Sequence, residues 1–274
     1  MTGDDRLPGH VCWAYDDQRS FAVEAERFLL AGLAAGERVR YVTSGPADRV
    51  TDHLAGQPVF AAAVARGAAE VVSLASTYHP GGTVEPATQI ATYAAATDAA
   101  LAAGHTGLRV VADATDLVRT PAQREQFARY EHRIDRWMRT RPFRAMCAYN
   151  RLELGGPAVA ELACLHPAGN IEDPLFRLFA AAPGAGDVEL TGELDTANRQ
   201  LFRTALDRAD LRPVDGELVV RATALRFLDH HAMTTLNEYA HRRGATAVLR
   251  TSRPGTARLV SLLDLRTLRV EVTR

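Results

Sequence analysis

Short apolar runs that alternate with longer stretches of helical periodicity constrain this chain more than any other feature. HVCWAY (His10–Tyr15) is followed, from about Ser20, by Phe21, Glu24, Phe28 and Leu29 at helical spacing, closing near Gly32 or Gly36. RVRYVTS reads as a second strand, Arg49 to Arg66 as a helix, and AEVVSLAS as a third strand. After the loop HPGGTVEP an Ala-rich helix runs from about Pro86 to Ala103. LRVVADAT has the continuous apolar centre of a buried strand, a long helix runs from Pro121 to about Thr140, and FRAMCAY is the last clear strand. Proline at position 121 suits a first helical turn, where its missing N–H has no partner to lose. Strands separated by helices are joined by crossovers, and crossovers make parallel neighbours. The expected fold class is therefore α/β, a mostly parallel sheet with flanking helices.

A short helix, VAELACLH, leads into HPAGNIEDP, and the domain boundary is placed there, around His166 to Pro174. This gives an N-terminal domain over 9–168 and a small α/β domain over 174–274. The second opens with FRLFAA, the turn PGAG and DVELTGELD, two apolar runs around a Pro/Gly turn that read as a hairpin. Asp195 is expected to cap a helix over Thr196 to Asp210, with Leu201, Phe202, Ala205 and Leu206 on one stripe. ELVVRATALRFLD reads as strand and loop. A helix from about His231 to Arg243, a strand (TAVLRTS), a helix from Gly255 to Leu263 and a strand (TLRVEV) complete it.

Composition narrows the function classes. Of 274 residues 47% are hydrophobic, enough for packed cores, and the net charge of -1 comes without a basic arm, which argues against direct nucleic-acid binding. The acidic start MTGDDRLPGH lacks the basic and apolar regions of a secretory signal, and no apolar run approaches the ~20 residues that cross a bilayer, so no membrane association is expected. The three cysteines, Cys12, Cys147 and Cys164, are widely spaced without a CxxC, which fits a reducing cytoplasm. Every strong base is arginine; there is no lysine for a P-loop, a kinase or a Schiff base. After the first strand, where GxxxxGK[ST] would hold phosphates, stand Tyr15-Asp16-Asp17-Gln18-Arg19-Ser20. No GxSxG, HExxH or Ser-His-Asp signature appears, so no catalytic residue and no cofactor are assigned, and the expectation is a protein that is not an enzyme.

Polar and sulfur residues collect on the strands: His10, Cys12 and Tyr15 on the first, Asp113 and Asp116 after a middle strand, Cys147 and Tyr149 on a later one, and then His166. Residues two apart share a face, so His10 pairs with Cys12 and Cys147 with Tyr149. Ligands of open α/β sheets gather beyond the carboxyl ends of strands. These residues are candidates for a small-molecule pocket, with ordinary core as the alternative. Two Cys and two His would suit zinc, but the spacing is not that of a zinc finger and no metal is assigned. Asp113 and Asp116 of DATD are candidates for Mg²⁺ or acid–base work, with capping by Asp116 or solvation at the sheet edge as the alternative. Glu131, in RYEHRIDRW, is read as part of a solvated or ion-paired helix face.

The ordered series LTGELD, LVVRATALRFLDHHAM, RRG, TAVLRTS and RLVSLLDL resembles a STAS domain, and more narrowly the anti-sigma-factor antagonists. The resemblance implies docking on a serine-kinase-type anti-sigma factor through the loop and helix start after the central strand. Antagonists carry Asp-Ser-Ser-Gly there, the second serine being the phosphorylation switch; this chain has Asp229-His230-His231-Ala232. Asp229 matches, and His231 stands at the switch. HVCWAY, FLLAGLAAGERVRYV, RVVADATDLV, RYE, MCAYNRLELG and LHP, in that order, resemble a MEDS domain. That resemblance implies a RecA-like fold and sensing of small hydrocarbon-derived molecules. Together they imply a signalling protein in which a sensory domain is tied to an interaction module without the usual phosphoserine switch. A constitutive pseudo-antagonist scaffold and an enzyme acting in the N-terminal pocket stay open as alternatives.

Overall fold

The structure is a computed structural model, and it describes residues 9–78, 83–172 and 174–273. The readings made on the acidic start, on positions 79–82 of the loop HPGGTVEP and on Asp173 lie outside the described residues. The chain divides into two compact units, residues 1–159 with 168–171, and residues 160–167 with 172–274.

The first unit is built on a six-stranded parallel sheet, β1 (His10–Tyr15), β2 (Arg38–Thr43), β3 (Ala69–Ser73), β4 (Leu108–Asp113), β5 (Phe143–Asn150) and β6 (Ala168–Gly169), in the order β3-β2-β4-β5-β1-β6. Its helices are α1 (Gln18–Ala34), α2 (Ala47–Ala55), α3 (Pro58–Ala65), α4 (Leu74–Thr77), α5 (Pro86–Ala102), α6 (Pro121–Met138) and α7 (Arg151–Leu154), with a 3-10 turn at Thr115–Leu117; α8 (Gly156–Ala163) carries the chain from the first unit into the second. The expected α/β class is observed. The helix expected over Arg49 to Arg66 is two helices, because Pro58 has no N–H to continue the first and instead opens α3. The third strand stops at Ser73, whose side chain accepts from Ser76 N and starts α4.

Alternation assigns the two sheet faces. Val11, Tyr15, Val39, Tyr41, Val111, Met146 and Ala148 pack with Phe21, Ala25, Phe28 and Leu29 of α1 and with Phe60 and Ala63 of α3. On the opposite face Tyr93 of α5 and Trp137 of α6 meet Phe143, with ring centroids at 5.1 and 5.3 Å, and Phe127 of α6 meets Tyr149 at 6.5 Å. Residues 168–171, in the stretch where the domain boundary was placed, are paired: Val11 and Cys12 register with Ala168 and Gly169, and the Asn170 amide both accepts from Ala14 N and donates to Ala14 O at 2.8 Å. A Cβ at Gly169 would stand 2.5 Å from the Cys12 carbonyl oxygen, so this edge strand requires glycine.

The second unit holds β7 (Phe176–Ala180), β8 (Val188–Leu194), α9 (Arg199–Ala209), β9 (Glu217–Arg221), β10 (Leu225–Leu228), α10 (His230–Arg242), β11 (Thr246–Thr251), α11 (Gly255–Leu262) and β12 (Leu268–Val272). β7 and β8 form the expected antiparallel hairpin, and the parallel strands follow the order β10-β8-β9-β11-β12. The N-cap of α9 is Asn198 rather than Asp195. The Asp195 carboxylate accepts from Ala197 N (2.9 Å) and Asn198 N (3.3 Å), which ties up a turn ahead of the helix. No helix among the described residues is long and apolar enough to cross a membrane.

Candidate functional site

The β1–β5 register places Cys12 opposite Cys147 and His10 opposite Ala145, so His10, Cys12, Cys147 and Tyr149 share the face covered by α6. The expected pairing of these four residues is thus present as shared placement on one face. His10 Nε2 stands 2.9 Å from Glu131 Oε2 and 3.8 Å from Cys147 Sγ. Its Nδ1 stands 3.1 Å from Asp135 Oδ1. Tyr149 donates to Glu131 Oε1 at 3.5 Å, and Arg139 reaches Asp135 Oδ2 at 3.4 Å. His10, Glu131 and Asp135 are each no more than 2% exposed.

Of the two readings of Glu131, the solvated face is corrected and the ion pair is present: the residue is fully buried and meets His10. Sequence reasoning missed Asp135 as well. The signal that would have found them is phase. Phe127, Glu131, Ile134, Asp135 and Met138 follow the i, i+4, i+7 spacing of one helical stripe, and all are buried. A carboxylate in phase with an apolar stripe points at the core, where it needs a partner, and His10 is that partner.

The environment shifts these groups strongly. Burial by itself lowers the His10 pKa, but hydrogen bonds to Asp135, Cys147 and Glu131 raise it well above its ordinary value. The ring thus sits between two carboxylates, with one nitrogen facing each, and they favour its protonated form. Burial, and next the Glu131 charge, push the Cys147 thiol up to about 12, so it is a thiol at neutral pH. Burial, with the Glu131 charge, likewise raises Tyr149. Beside them His132 is lowered by burial to about 4 and stays neutral.

Tyr15 and Asp113 belong to a different place. Tyr15 is on the α1 face, stacked on Phe21 with centroids 4.7 Å apart. Its hydroxyl donates to Asp113 Oδ1 at 3.1 Å, Thr115 Oγ1 donates to the same oxygen at 2.9 Å, and Ser44 Oγ donates to Oδ2 at 2.8 Å. This knot, buried at Tyr15, Asp113 and Thr115 and open at Ser44, ties the carboxyl ends of β1, β2 and β4. Burial, and then the Asp113 charge, raise the Tyr15 pKa. Asp116 is apart from both groups, in the 3-10 turn, exposed and paired with Arg119 at 2.7 Å. It is Asp113, accepting from Thr115, that braces this turn, so Asp113 and Asp116 do not form one acidic pair. His166 lies in the second unit, fully buried, with Nδ1 2.9 Å from the Leu162 carbonyl.

At the start of α1, where a P-loop would hold phosphate, Asp17 is the N-cap and accepts from Ser20 N at 2.8 Å. Asp16 pairs with Arg151. A carboxylate of the chain itself occupies the anion-binding position of this helix. Elsewhere in the first unit a cavity of about 450 Å³ is lined by Ser76, Tyr78, Glu85, Thr88, Gln89 and Thr92. None of the residues expected from the sequence lines it.

In the second unit Asp229 caps α10, accepting from Ala232 N at 2.8 Å. His230 is exposed and His231 half-buried, with ring centroids 3.9 Å apart. The nearest helix hydroxyls, Thr234 and Thr235, donate to the carbonyls of His230 and His231 at 2.9 Å.

No curated protein matches the chain. A family model does, that of the methanogen/methylotroph DcmR sensory domain, over residues 9–167, which include the His10–Glu131–Asp135 group and the Tyr15–Asp113 knot. That span is more than half of the 274 residues, and the chain belongs to the MEDS family of sensory domains.

Proposed function

We propose that this is a signalling protein in which the MEDS domain senses a small molecule and the C-terminal unit is a STAS-type module that docks on a serine-kinase-type anti-sigma factor or a related regulator. The observation that carries the docking half is the start of α10. Asp229 holds the cap that antagonists of this type place before their phosphorylatable serine, and the helix start is open enough that His230 is exposed. The half-exposed Phe227 lies two residues before that cap, an apolar group beside the polar helix start.

The switch position is chemically inert toward a serine kinase. A phosphoserine would bring a dianion to a helix N-terminus, whereas His231 is neutral or cationic. The module thus acts as a permanently unphosphorylated antagonist. The cavity lined by Tyr78, Glu85 and Gln89 supports the sensing half, since it has the volume of a small-molecule site.

Incubation of the full chain with a serine-kinase-type anti-sigma factor and labelled ATP should leave the wild type unlabelled while the two copurify. His231→Ser should restore labelling. Failure to bind any such factor overturns the partner-docking reading.

A further inference from the structure

His10 Nε2, a Glu131 carboxylate oxygen and Cys147 Sγ all lie within 4.8 Å of one another. Imidazole, carboxylate and thiolate are the donor types of protein zinc sites, with bonds of roughly 2.0–2.3 Å. Around a tetrahedral ion such donors stand roughly 3.3–3.6 Å apart. Here His10 is 2.9 Å from Glu131 and 3.8 Å from Cys147, so small rotations of side chains already in place would complete the geometry.

A second observation points the same way. The other nitrogen of His10 is held by Asp135 at 3.1 Å. That is the carboxylate–histidine arrangement that fixes the tautomer of a ligating imidazole, leaving Nε2 directed at the ion. Glu131 is braced in turn by Tyr149, and Asp135 by Arg139. The ligating side chains and their supports come from β1, β5 and α6, elements whose positions the sheet fixes.

Charge supplies the third part. Two carboxylates, Glu131 and Asp135, are buried to 1% exposure or less. A structural ion pair would need the imidazole and the carboxylates but not the sulfur; Cys147, beside Nε2, is the soft donor that a proton has no use for.

We propose that His10, Glu131 and Cys147 bind a divalent cation of the zinc class, with Asp135 as the residue that positions His10. This goes beyond the partner-docking reading and does not depend on it. Metal-stripped full-length protein titrated with Co²⁺ should develop a thiolate-to-cobalt charge-transfer band that saturates at a single ion per chain. Cys147→Ser should abolish the band and Cys164→Ser should retain it. Asp135→Asn should weaken cobalt binding by roughly 10- to 100-fold while keeping the band. If circular dichroism shows Cys147→Ser to be unfolded, the wild type answers instead: Zn²⁺ should protect Cys147 from alkylation in partial denaturant, mapped by mass spectrometry. A wild type without the band, a band that survives Cys147→Ser, or a Cys147 that zinc does not protect each overturns the site.

Discussion

His10 Nδ1 and Asp135 Oδ1, 3.1 Å apart, join the first residue of β1 to the last turn of α6 across 125 residues of chain. The same ring meets Glu131 through its other nitrogen, so one imidazole stands between two buried carboxylates. Removing one partner of a buried pair leaves uncompensated charge, at about 3–5 kcal/mol. His10→Leu should therefore lower the unfolding free energy of the metal-free protein by about that amount, and His10→Gln by less, since the amide still donates to one carboxylate. Urea denaturation of both variants in chelator measures the difference.

Gly192, inside β8, has φ +87°, and a Cβ there would run into the Leu175 carbonyl oxygen. Gly184, in the preceding turn, has φ +78° but nothing within 4 Å of its Cβ position. Gly184→Ala meets backbone strain alone, on the order of 1 kcal/mol. Gly192→Ala adds a steric overlap that only movement of β7 relieves, so its melting temperature should fall by clearly more than that of Gly184→Ala.

Asp17 makes the start of α1 a poor nucleotide site, because its carboxylate already accepts the Ser20 amide. Isothermal titration with Mg-ATP should give no heat at protein concentrations that detect millimolar binding. Hydrolysis of ATP that disappears in Asp17→Asn would contradict this.

Asp229 and His231 differ in what they do for α10. Asp229→Ala removes the hydrogen bond to Ala232 N and should destabilise by about 1 kcal/mol. His231→Ala should stay within about 0.5 kcal/mol, since the half-buried ring anchors no backbone group. Equal losses in thermal melts would mean that the imidazole is structural.

The elements were legible in the sequence because their periods are strong. LRVVAD is buried at every position in β4, and the alternation of HVCWAY put His10 and Cys12 on one face before any register was known. What failed was reading a charge as a surface. Glu131 was read as solvated or ion-paired on a helix face because glutamate usually is, and its partner lies in another part of the chain; the long-range contacts of Asp135 and Glu131 with His10 explain the burial. Likewise Tyr15 was grouped with His10 and Cys12 as strand-end chemistry, yet five residues of alternation turn it to the α1 face with Asp113. The pairing of Gly169 with Cys12 was hidden because a two-residue edge strand in a Pro/Gly/Asn-rich stretch carries no periodic signal.

Cys164 follows α8 and is fully buried, its thiol donating to the Glu161 carbonyl at 3.4 Å. Burial is the first cause that pushes its pKa from 9.0 to about 12. In the unfolded chain the thiol ionises near 9, so between about pH 9 and 12 the unfolded state releases a proton that the folded state keeps. By linkage, stability falls as pH rises through that window; the contribution is complete below pH 9 and is lost on the way to about 12. Cys147, also at about 12, acts in the same direction. Thermal melts at rising alkaline pH should thus show a downward slope that is shallower in Cys164→Ala, once the variant's lower starting stability is subtracted. The same burial should keep Cys164 silent toward a thiol reagent at pH 8 in the folded protein and expose it in denaturant. A folded chain whose Cys164 reacts at pH 8 as fast as a free thiol would place this side chain in solvent and remove the basis of the slope.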